Sequence, residues 1–386
     1  MSSVGKKGRR RARSSSKKEI PAETSTESHL NDLLVQNGKS LRLGWPFGLS
    51  LIKAIALIAV IALAGECVFR IPNIRRQLPP PVLGTGNLTF DVTWEYFQRT
   101  LELYGHVDCV FLGSSMIKHS IDPKLFQNRF RENTGHDIVC FNFGISGMRP
   151  SDAVFNKLLV EKYNPSLLVS EVTSLCLYEQ FMKYHKGPMI SQSPWGLFQS
   201  GKFSVKGWLL THSLLFRYFM RWNMWVRSPN QYDRLQRISK NMQIDGFLMK
   251  GHGPIEKKAR RQVRNPILST LSGKIGTTKV LDDWLEAFSG KTSVVFLEMP
   301  LRGKTGSSIG ERDRIFDLSR MLLRKTVEER GGVLFSPAEQ INLSKSCWMS
   351  INHLNPQGAK LFTPVFADDL AGAISTGKVE GFGGRK

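Results

Sequence analysis

The chain of 386 residues is 41% hydrophobic and 10% aromatic, which excludes a protein that is disordered throughout. Its formal net charge of +22 is partly concentrated at residues 1–18, where basic side chains occur without any acid. Because no RNA-binding aromatic motif or zinc-finger spacing accompanies it, this charge indicates a solvated tail and no nucleic-acid partner. The five cysteines contain no Cys-x-x-Cys pair, which excludes a zinc ribbon and favours buried free thiols over a disulfide framework.

The apolar segment at residues 46–69 is long enough to cross a bilayer. Only three polar or charged side chains interrupt it: Ser50, Lys53 and Glu66. About 20 helical residues at a rise of ~1.5 Å span the hydrocarbon core, and a lysine near one end can extend its amine to the headgroups. We therefore predict a transmembrane helix at 46–69. A buried core helix is the alternative, and a cleaved signal peptide is disfavoured because no clean small-x-small cleavage site follows.

The flanks of this segment predict its orientation. The basic tail at 1–45, which we expect to be disordered, precedes it, although Arg70, Arg75 and Arg76 follow it and weaken the asymmetry. By the positive-inside rule the N-terminus lies in the cytoplasm. We therefore expect a single-pass protein of a bacterial cytoplasmic (inner) membrane, with an extended Pro-rich linker at 70–94 and an extracytoplasmic C-terminal domain.

Between residues 95 and 376, short apolar or β-branched runs alternate with amphipathic stretches, which is typical of βαβ units. The predicted strands are Val107–Leu112, Asp137–Phe143, Ser166–Val172, Ser293–Leu297 and Gly332–Phe335. The predicted helices are Pro123–Glu132, Ser151–Tyr163, Lys279–Phe288, Glu311–Glu329 and Asn355–Ile374. The pattern predicts an α/β domain, a flavodoxin-like three-layer α/β/α sandwich on a five-stranded parallel sheet, followed by a flexible tail at 377–386.

The interval 177–276 breaks this alternation and is predicted as a helical insertion. Its most distinctive part is Trp208–Arg227, in which apolar residues surround Arg217, Arg221 and Arg227. Two interpretations remain open. Such a helix can lie at a membrane interface or cap a site that faces the membrane. We favour the other interpretation, a helix packed on the domain with its arginines in solvent.

Three segments with polar side chains follow predicted strands. The Gly-Ser-Ser turn at 113–115 ends the first strand, residues 142–147 end the second, and the segment 350–358, which contains His353, follows the fifth. Each alone has a structural explanation, since serine often caps a helix and a histidine at a helix start can bind backbone groups. Because the carboxyl ends of parallel strands meet at one edge, we expect Ser115 and His353 to lie together there.

Together these segments resemble the SGNH, or GDSL-like, hydrolase superfamily of esterases and acyltransferases, in its membrane-anchored envelope branch. The turn Gly113-Ser114-Ser115 looks like the first block, with serine in place of aspartate. Residues 142–147 match the second block, Asn-x-Gly-x-x-Gly, and residues 353–358 match the His-Leu-Asn-x-x-Gly of the last block. The resemblance spans about residues 105–175 and 290–370 and is greatest to alginate O-acetylation and teichoic-acid D-alanylation proteins.

The resemblance implies roles for individual residues. Ser115 is the expected nucleophile and His353 the expected base. The N–H groups of Ser115 and Gly147 are the expected oxyanion hole, joined by Thr173 where the family has asparagine. The family's acid, three residues before the histidine, is here Ser350, which cannot carry a negative charge.

Two carboxylates at predicted strand ends, Glu298 and Glu171, are candidates to replace the missing acid. The alternative is that they pair with Arg302 or Arg149. A third acid, Asp122, is expected instead to cap the helix that begins near Pro123.

The resemblance thus implies a membrane-anchored serine esterase or O-acyltransferase that acts on an envelope polysaccharide or glycolipid. Because the acid is missing, a catalytically impaired scaffold in envelope polymer assembly is the alternative. The expected partners are the lipid bilayer through residues 46–69, an acyl donor, a glycan or glycolipid acceptor and other envelope-assembly membrane proteins. The chemistry requires no metal, nucleotide or other cofactor.

Overall fold

A computed structural model describes residues 45–148, 150–173, 189–248, 286, 293–302, 309–350 and 352–380. The chain divides into two compact units, residues 1–61 and residues 62–386. The predicted N-terminal tail up to residue 44, most of the predicted helix Lys279–Phe288, the final residues 381–386 and the two ends of the predicted insertion lie outside the described residues.

The predicted membrane segment forms one long helix, α1 (Trp45–Arg70). Its stretch Leu49–Arg70 has a mean hydropathy of 2.3, and none of its apolar window is buried against protein. Among the described residues it is the one helix long and apolar enough to cross a membrane. The absence of burial argues against the alternative of a core helix.

The interval predicted as an extended linker, 70–94, is instead folded. It contains the short helix α2 (Pro72–Gln77) and the first turns of α3 (Leu88–Tyr104). Val82 and Leu83 between the helices are 1% and 0% exposed, and Arg75 binds Glu95 at 2.8 Å. The prolines keep the backbone extended only locally, since burial and this ion pair fix the segment against the domain.

Five parallel strands form one sheet in the order β2-β1-β3-β4-β5, which confirms the predicted α/β sandwich. The strands are β1 (Cys109–Gly113), β2 (Cys140–Gly144), β3 (Leu167–Val172), β4 (Ser293–Glu298) and β5 (Val333–Phe335). Alternate residues of a strand point to opposite faces, so Val110 and Leu112 join one core cluster while Phe111 joins the other. Apolar cores on both faces explain why the central strands are continuous hydrophobic runs.

Twelve helices occur among the described residues. Those after α3 are α4 (Ser115–Ser120), α5 (Pro123–Thr134), α6 (Pro150–Glu161), α7 (Pro194–Gln199), α8 (Val205–His212), α9 (Leu214–Arg227), α10 (Pro229–Asn241), α11 (Ile309–Glu329) and α12 (Pro356–Ser375). The four described cysteines are free thiols, as predicted, and of these only Cys67 is exposed.

The helical insertion differs from its prediction in two ways. The segment Trp208–Arg227 is two helices, because the Ser213 side chain caps α9 by accepting a hydrogen bond from the Phe216 N–H at 3.0 Å. The favoured interpretation that its arginines lie in solvent was wrong for Arg217 and Arg221, which are 5% and 4% exposed. They are buried because Glu95 and a backbone carbonyl accept their hydrogen bonds, whereas Arg227 is exposed.

Candidate active site

The turn between β1 and α4 divides two roles between adjacent serines. Ser114 caps α4, since its Oγ accepts a hydrogen bond from the Met116 N–H at 3.1 Å. The same hydroxyl donates to Glu171 Oε1 at 2.7 Å. Ser114 therefore fulfils the capping role, and Ser115, the first residue of α4, keeps its hydroxyl for another partner.

Glu171, near the end of β3, holds this turn in place by accepting hydrogen bonds. Its Oε2 accepts hydrogen bonds from the N–H groups of Ser114 at 2.6 Å and Ile117 at 3.4 Å. Burial raises the pKa of Glu171, while the bonds from Ser114 and Ile117 lower it in part. A Cβ added at Gly113 would clash with this carboxylate, so a glycine is required there.

Ser115 and His353 lie face to face although 238 positions separate them in the sequence. The distance from Ser115 Oγ to His353 Nε2 is 2.6 Å. On the other side of the ring, Ser350 Oγ lies 2.6 Å from Nδ1. The structure thus brings together the predicted nucleophile and base, and it adds a second hydroxyl where the family has its acid.

The hydrogen bonds around Ser350 indicate which ring nitrogen carries the proton. Ser350 Oγ donates to Asn352 Oδ1 at 3.0 Å. Because a hydroxyl has a single hydrogen, Ser350 must then accept from the Nδ1–H of His353. This tautomer leaves Nε2 unprotonated and directed at the Ser115 hydroxyl, which is the state that a general base requires.

Burial lowers the pKa of His353 to about 4, so the ring is neutral at neutral pH. Among the described residues no carboxylate forms a hydrogen bond to the ring. His119 contacts it edge to face, with 5.6 Å between the ring centroids. The imidazolium formed on proton transfer is therefore less stabilised than in a triad with aspartate.

The two carboxylates predicted to replace the acid are engaged elsewhere. Glu171 accepts hydrogen bonds from the turn between β1 and α4, as described above. Glu298 accepts a bidentate pair from Arg320, at 2.6 and 2.9 Å, and a hydrogen bond from Ser336 at 2.7 Å. The group at His353 Nδ1 is Ser350, so the interpretation of either glutamate as the replacement acid is corrected. The partner of Glu298 is Arg320 rather than Arg302 or Arg149, the second of which lies outside the described residues.

Asn142 positions α4 from the neighbouring strand. Its Nδ2 donates to the carbonyls of Ile117 at 3.0 Å and Ile121 at 2.7 Å, and its Oδ1 accepts from the Gly144 N–H at 3.0 Å. A Cβ at Gly144 would clash with the backbone of Lys118. The Asn-x-Gly part of the second motif is therefore structural, because it docks the end of β2 against the helix that carries Ser115.

The predicted oxyanion donors lie at the carboxyl edge of three adjacent strands. Ser115 follows β1, Gly147 follows β2 and Thr173 follows β3. Gly147 has a φ of 72°, which favours glycine, and it is solvent-exposed, whereas Thr173 is buried. Among the hydrogen bonds between described residues, none has the N–H group of Ser115 or Gly147 as its donor.

Ser350 was seen in the sequence only as a missing acid. Its contact with His353 arises because the segment from Trp348 to Leu354 doubles back through an antiparallel bridge. The Met349 N–H also donates to the His353 carbonyl at 2.9 Å. The spacing of three residues was the available signal, since it is the spacing of the family's acid. Asp122 caps α5 as predicted, accepting from the N–H groups of Lys124 and Leu125.

No family model and no curated protein matches the sequence. Among solved structures, it is similar to the lipase/acylhydrolase from Enterococcus faecalis at 10% identity, with a TM-score of 0.33 over 69% of this chain and 96% of that chain. It is also similar to the lipase Lip_vut3 from a goat rumen metagenome at 9% identity, with a TM-score of 0.33 over 69% of this chain and 97% of that chain. Likenesses of this size carry no argument about activity, so the resemblance to SGNH hydrolases rests on the motifs and geometry of this chain.

Proposed function

We propose that this chain is a membrane-anchored, SGNH-like serine esterase or O-acyltransferase. The observation that carries the proposal is the 2.6 Å contact between Ser115 Oγ and His353 Nε2 at the carboxyl edge of a parallel sheet. A nucleophile, a base oriented by a third group and free backbone N–H donors are the parts that acyl transfer requires.

The reaction proceeds in two halves. In the first, Ser115 Oγ attacks the acyl carbonyl while its proton moves to His353 Nε2, and the N–H groups of Ser115 and Gly147, with Thr173, hold the oxyanion. The imidazolium then protonates the leaving alcohol, which departs and leaves an acyl-serine. In the second half, His353 deprotonates water or a sugar hydroxyl, which attacks the acyl group. The bond between the acyl carbon and Ser115 Oγ then breaks, and the imidazolium returns its proton to Ser115 Oγ. Water gives an esterase, and a sugar hydroxyl gives an O-acyltransferase.

Ser350 supplies one of the two contributions that an aspartate makes in a triad. It accepts the Nδ1–H and so fixes the productive tautomer, but it adds no charge to stabilise the imidazolium. We therefore expect a slow enzyme whose base is functional. A polymer or membrane-linked acceptor held beside the site would suit such an enzyme, because positioning then offsets a weak base.

The location of the proposed substrate follows from α1. A helix of this length and hydropathy anchors the chain in a cytoplasmic membrane, and the basic tail before it favours an N-terminus inside. The α/β domain then faces the extracytoplasmic side of a bacterial envelope. An envelope polysaccharide or glycolipid is the acceptor that such a tethered domain meets.

The second candidate function is a catalytically impaired scaffold that binds glycan or other envelope-assembly proteins. The observation that favours it is the part-buried His353, whose pKa falls to about 4 and whose ring has no carboxylate partner among the described residues. A site that binds an acyl or glycan group without turnover needs the same cleft but no compensated base.

A serine-directed fluorophosphonate probe distinguishes the two functions. The full chain in detergent micelles is incubated with the probe, and the labelled residue is identified by mass spectrometry. We expect labelling at Ser115, its loss in Ser115→Ala and its retention in the control Ser375→Ala, which alters an exposed hydroxyl at the end of α12. Absence of labelling in the wild-type chain over a range of pH values would overturn the catalytic proposal in favour of the scaffold.

A further inference from the structure

Helix α9 has an inverted amphipathic pattern. Its buried side, which faces the domain, carries Arg217 and Arg221, while its exposed side carries Phe219, Trp222 and Trp225, which are 49%, 56% and 54% exposed. The two sets follow helical spacing, three or four residues apart. The aromatic residues therefore form one stripe that no described part of the chain covers.

A buried ionic cluster fixes this orientation of α9. Arg217 donates to Glu95 Oε2 at 2.9 Å, and Arg75 and Arg99 bind Glu95 Oε1 at 2.8 and 3.0 Å. Arg221 donates to the Pro80 carbonyl. Rotation of α9 to bury its aromatic side would remove two guanidinium groups from their acceptors, and breaking a buried pair is costly. The exposure of the aromatic stripe is thus specified by the packing.

Further exposed aromatic residues lie at helix α8. Phe203, just before it, is 75% exposed, and Trp208 within it is 46% exposed. Exposed apolar clusters of this kind mark interaction sites, because monomeric soluble proteins rarely leave large apolar patches in water. We call the exposed residues Phe203, Trp208, Phe219, Trp222 and Trp225 the aromatic surface.

The two helices that carry the aromatic surface meet at the end of α1. Residues from Ala62 onward belong to the same compact unit as the domain. Within it, Glu66 accepts hydrogen bonds from the N–H groups of Leu214 and Leu215, both at 3.0 Å, and from the Ser213 hydroxyl at 2.9 Å. Thus a residue of α1 caps the first turn of α9.

Two further contacts strengthen this junction. Arg70 donates a hydrogen bond at 2.6 Å to the backbone carbonyl of His212, which is the last residue of α8. The Phe69 and Tyr218 rings stack with 4.7 Å between their centroids. These contacts join the end of α1 to the two helices at which the aromatic surface lies.

We propose that the aromatic surface is a second membrane contact, which lies in the headgroup layer of the bilayer that α1 crosses. Tryptophan is enriched at that layer because it joins an apolar ring to a polar N–H. Exposed Lys202, Lys206 and Arg227 on the same segments add positive charge for anionic headgroups. This inference rests on the proposed anchoring by α1 but not on the proposed catalysis.

Quenching of tryptophan fluorescence by brominated lipid tests the proposal. The full chain is reconstituted into vesicles of phosphatidylethanolamine and phosphatidylglycerol that contain phosphatidylcholine brominated near the headgroup end of its acyl chains. Wild type is compared with the triple variant Trp208→Phe, Trp222→Phe, Trp225→Phe, whose substitutions are conservative at exposed positions. The control is Trp348→Phe, which removes a buried indole.

We expect brominated lipid to quench the wild-type emission, and the quenched emission to fall by more than half in the triple variant, since of the boundary tryptophans only Trp45 remains. The control should reduce total emission and leave the quenched part unchanged. Quenching that persists unaltered in the triple variant overturns the aromatic surface as a membrane contact while α1 stays inserted. No quenching in any variant overturns the anchoring as well, which separates the two failures.

Discussion

Two ionisable groups, the buried Glu95 and the part-buried His353, have pKa values that are shifted by different causes. Glu95 in the domain framework is 0% exposed and is surrounded by the guanidinium groups of Arg217, Arg75 and Arg99. Burial alone raises the pKa of Glu95, but the three arginines outweigh it and hold the pKa below its usual value. The His353 ring in the candidate site is part-buried between the Ser115 and Ser350 hydroxyl groups, and its pKa falls because no charge among the described residues offsets the effect of burial.

The comparison shows that charged groups stabilise the framework, whereas neutral hydrogen bonds order the candidate site. In the framework, ion pairs fix α2, α3 and α9 to one another, and they determine which side of α9 faces outward. In the site, neutral hydrogen bonds fix the geometry of Ser115 and His353 and leave the ring ready to accept a proton but poorly able to hold it. Precise placement and charge compensation are thus separate properties, and the candidate site has the first of them.

The largest expected effect is that of removing the base. His353→Ala should lower the rate of fluorophosphonate labelling at Ser115 by a factor on the order of 10⁴, because the serine proton then has no acceptor. The matched control is His119→Ala, which removes a ring that packs edge to face on His353, with 5.6 Å between the ring centroids. An equal loss in both variants would show that the effect is packing and not base catalysis.

The contribution of the ionic cluster around Glu95 to stability is tested by substituting Glu95. Glu95→Gln removes the carboxylate that Arg217 and Arg99 bind and leaves Arg75 paired with Glu102, so we expect a loss of about 3–5 kcal/mol in the free energy of unfolding. Urea denaturation in detergent micelles, followed by circular dichroism, measures it. Glu132→Gln removes one partner of an exposed pair at the surface and serves as the control, with an expected loss below about 1 kcal/mol. Similar losses in both variants would contradict the role of the cluster.

The depressed pKa of His353 predicts a pH dependence of stability. Unfolded histidine binds a proton near pH 6.5, whereas His353 in the folded chain does so near pH 4. Its stabilising contribution is therefore complete above pH 6.5 and is lost as the pH falls toward 4, by up to about 3 kcal/mol. Asp91 and Asp245, whose pKa values burial raises to about 6, change in the opposite sense.

The measurement is therefore a difference between two chains. The free energy of unfolding of wild type and His353→Gln is determined by urea denaturation at several values between pH 7 and pH 4. Because the aspartates are common to both chains, their contribution cancels. Wild type should lose stability relative to the variant as the pH falls, and two parallel curves would show that the imidazole titrates normally.

The sheet and the meeting of Ser115 with His353 could be predicted because both follow from strand order. Parallel strands bring their carboxyl ends to one edge whatever the loops contain. The orientation of α9 could not be predicted, because its determinant, Glu95, lies 122 positions from Arg217 and the helix alone favours arginines in solvent. Likewise, the fold of residues 70–94 depends on Arg75 reaching Glu95, a contact that composition does not reveal.

The role of Ser350 illustrates a second kind of limit. Its position three residues before His353 was visible, but a hydroxyl there acquires meaning only from the direction of its hydrogen bonds. Ser350 receives the Nδ1–H because its own hydrogen is given to Asn352. A pattern of residue types carries no such direction.

The smallest and most informative effect is therefore expected from Ser350→Asp, which adds the missing charge at an unchanged position. A carboxylate beside the ring raises the pKa of His353 by about 1–3 units, which makes it a better base and should accelerate labelling of Ser115 roughly 10-fold to 100-fold. The acid limb of the labelling rate should move upward from near pH 4 with it. The matched control is Ser350→Ala, which removes the acceptor that fixes the His353 tautomer and adds no charge. Its labelling rate should fall, while the pH at which that rate declines should stay near 4. If Ser350→Asp changes neither the labelling rate nor the pH at which that rate falls, the site does not lack charge compensation. The contrast between His353 and Glu95 would then be wrong for His353.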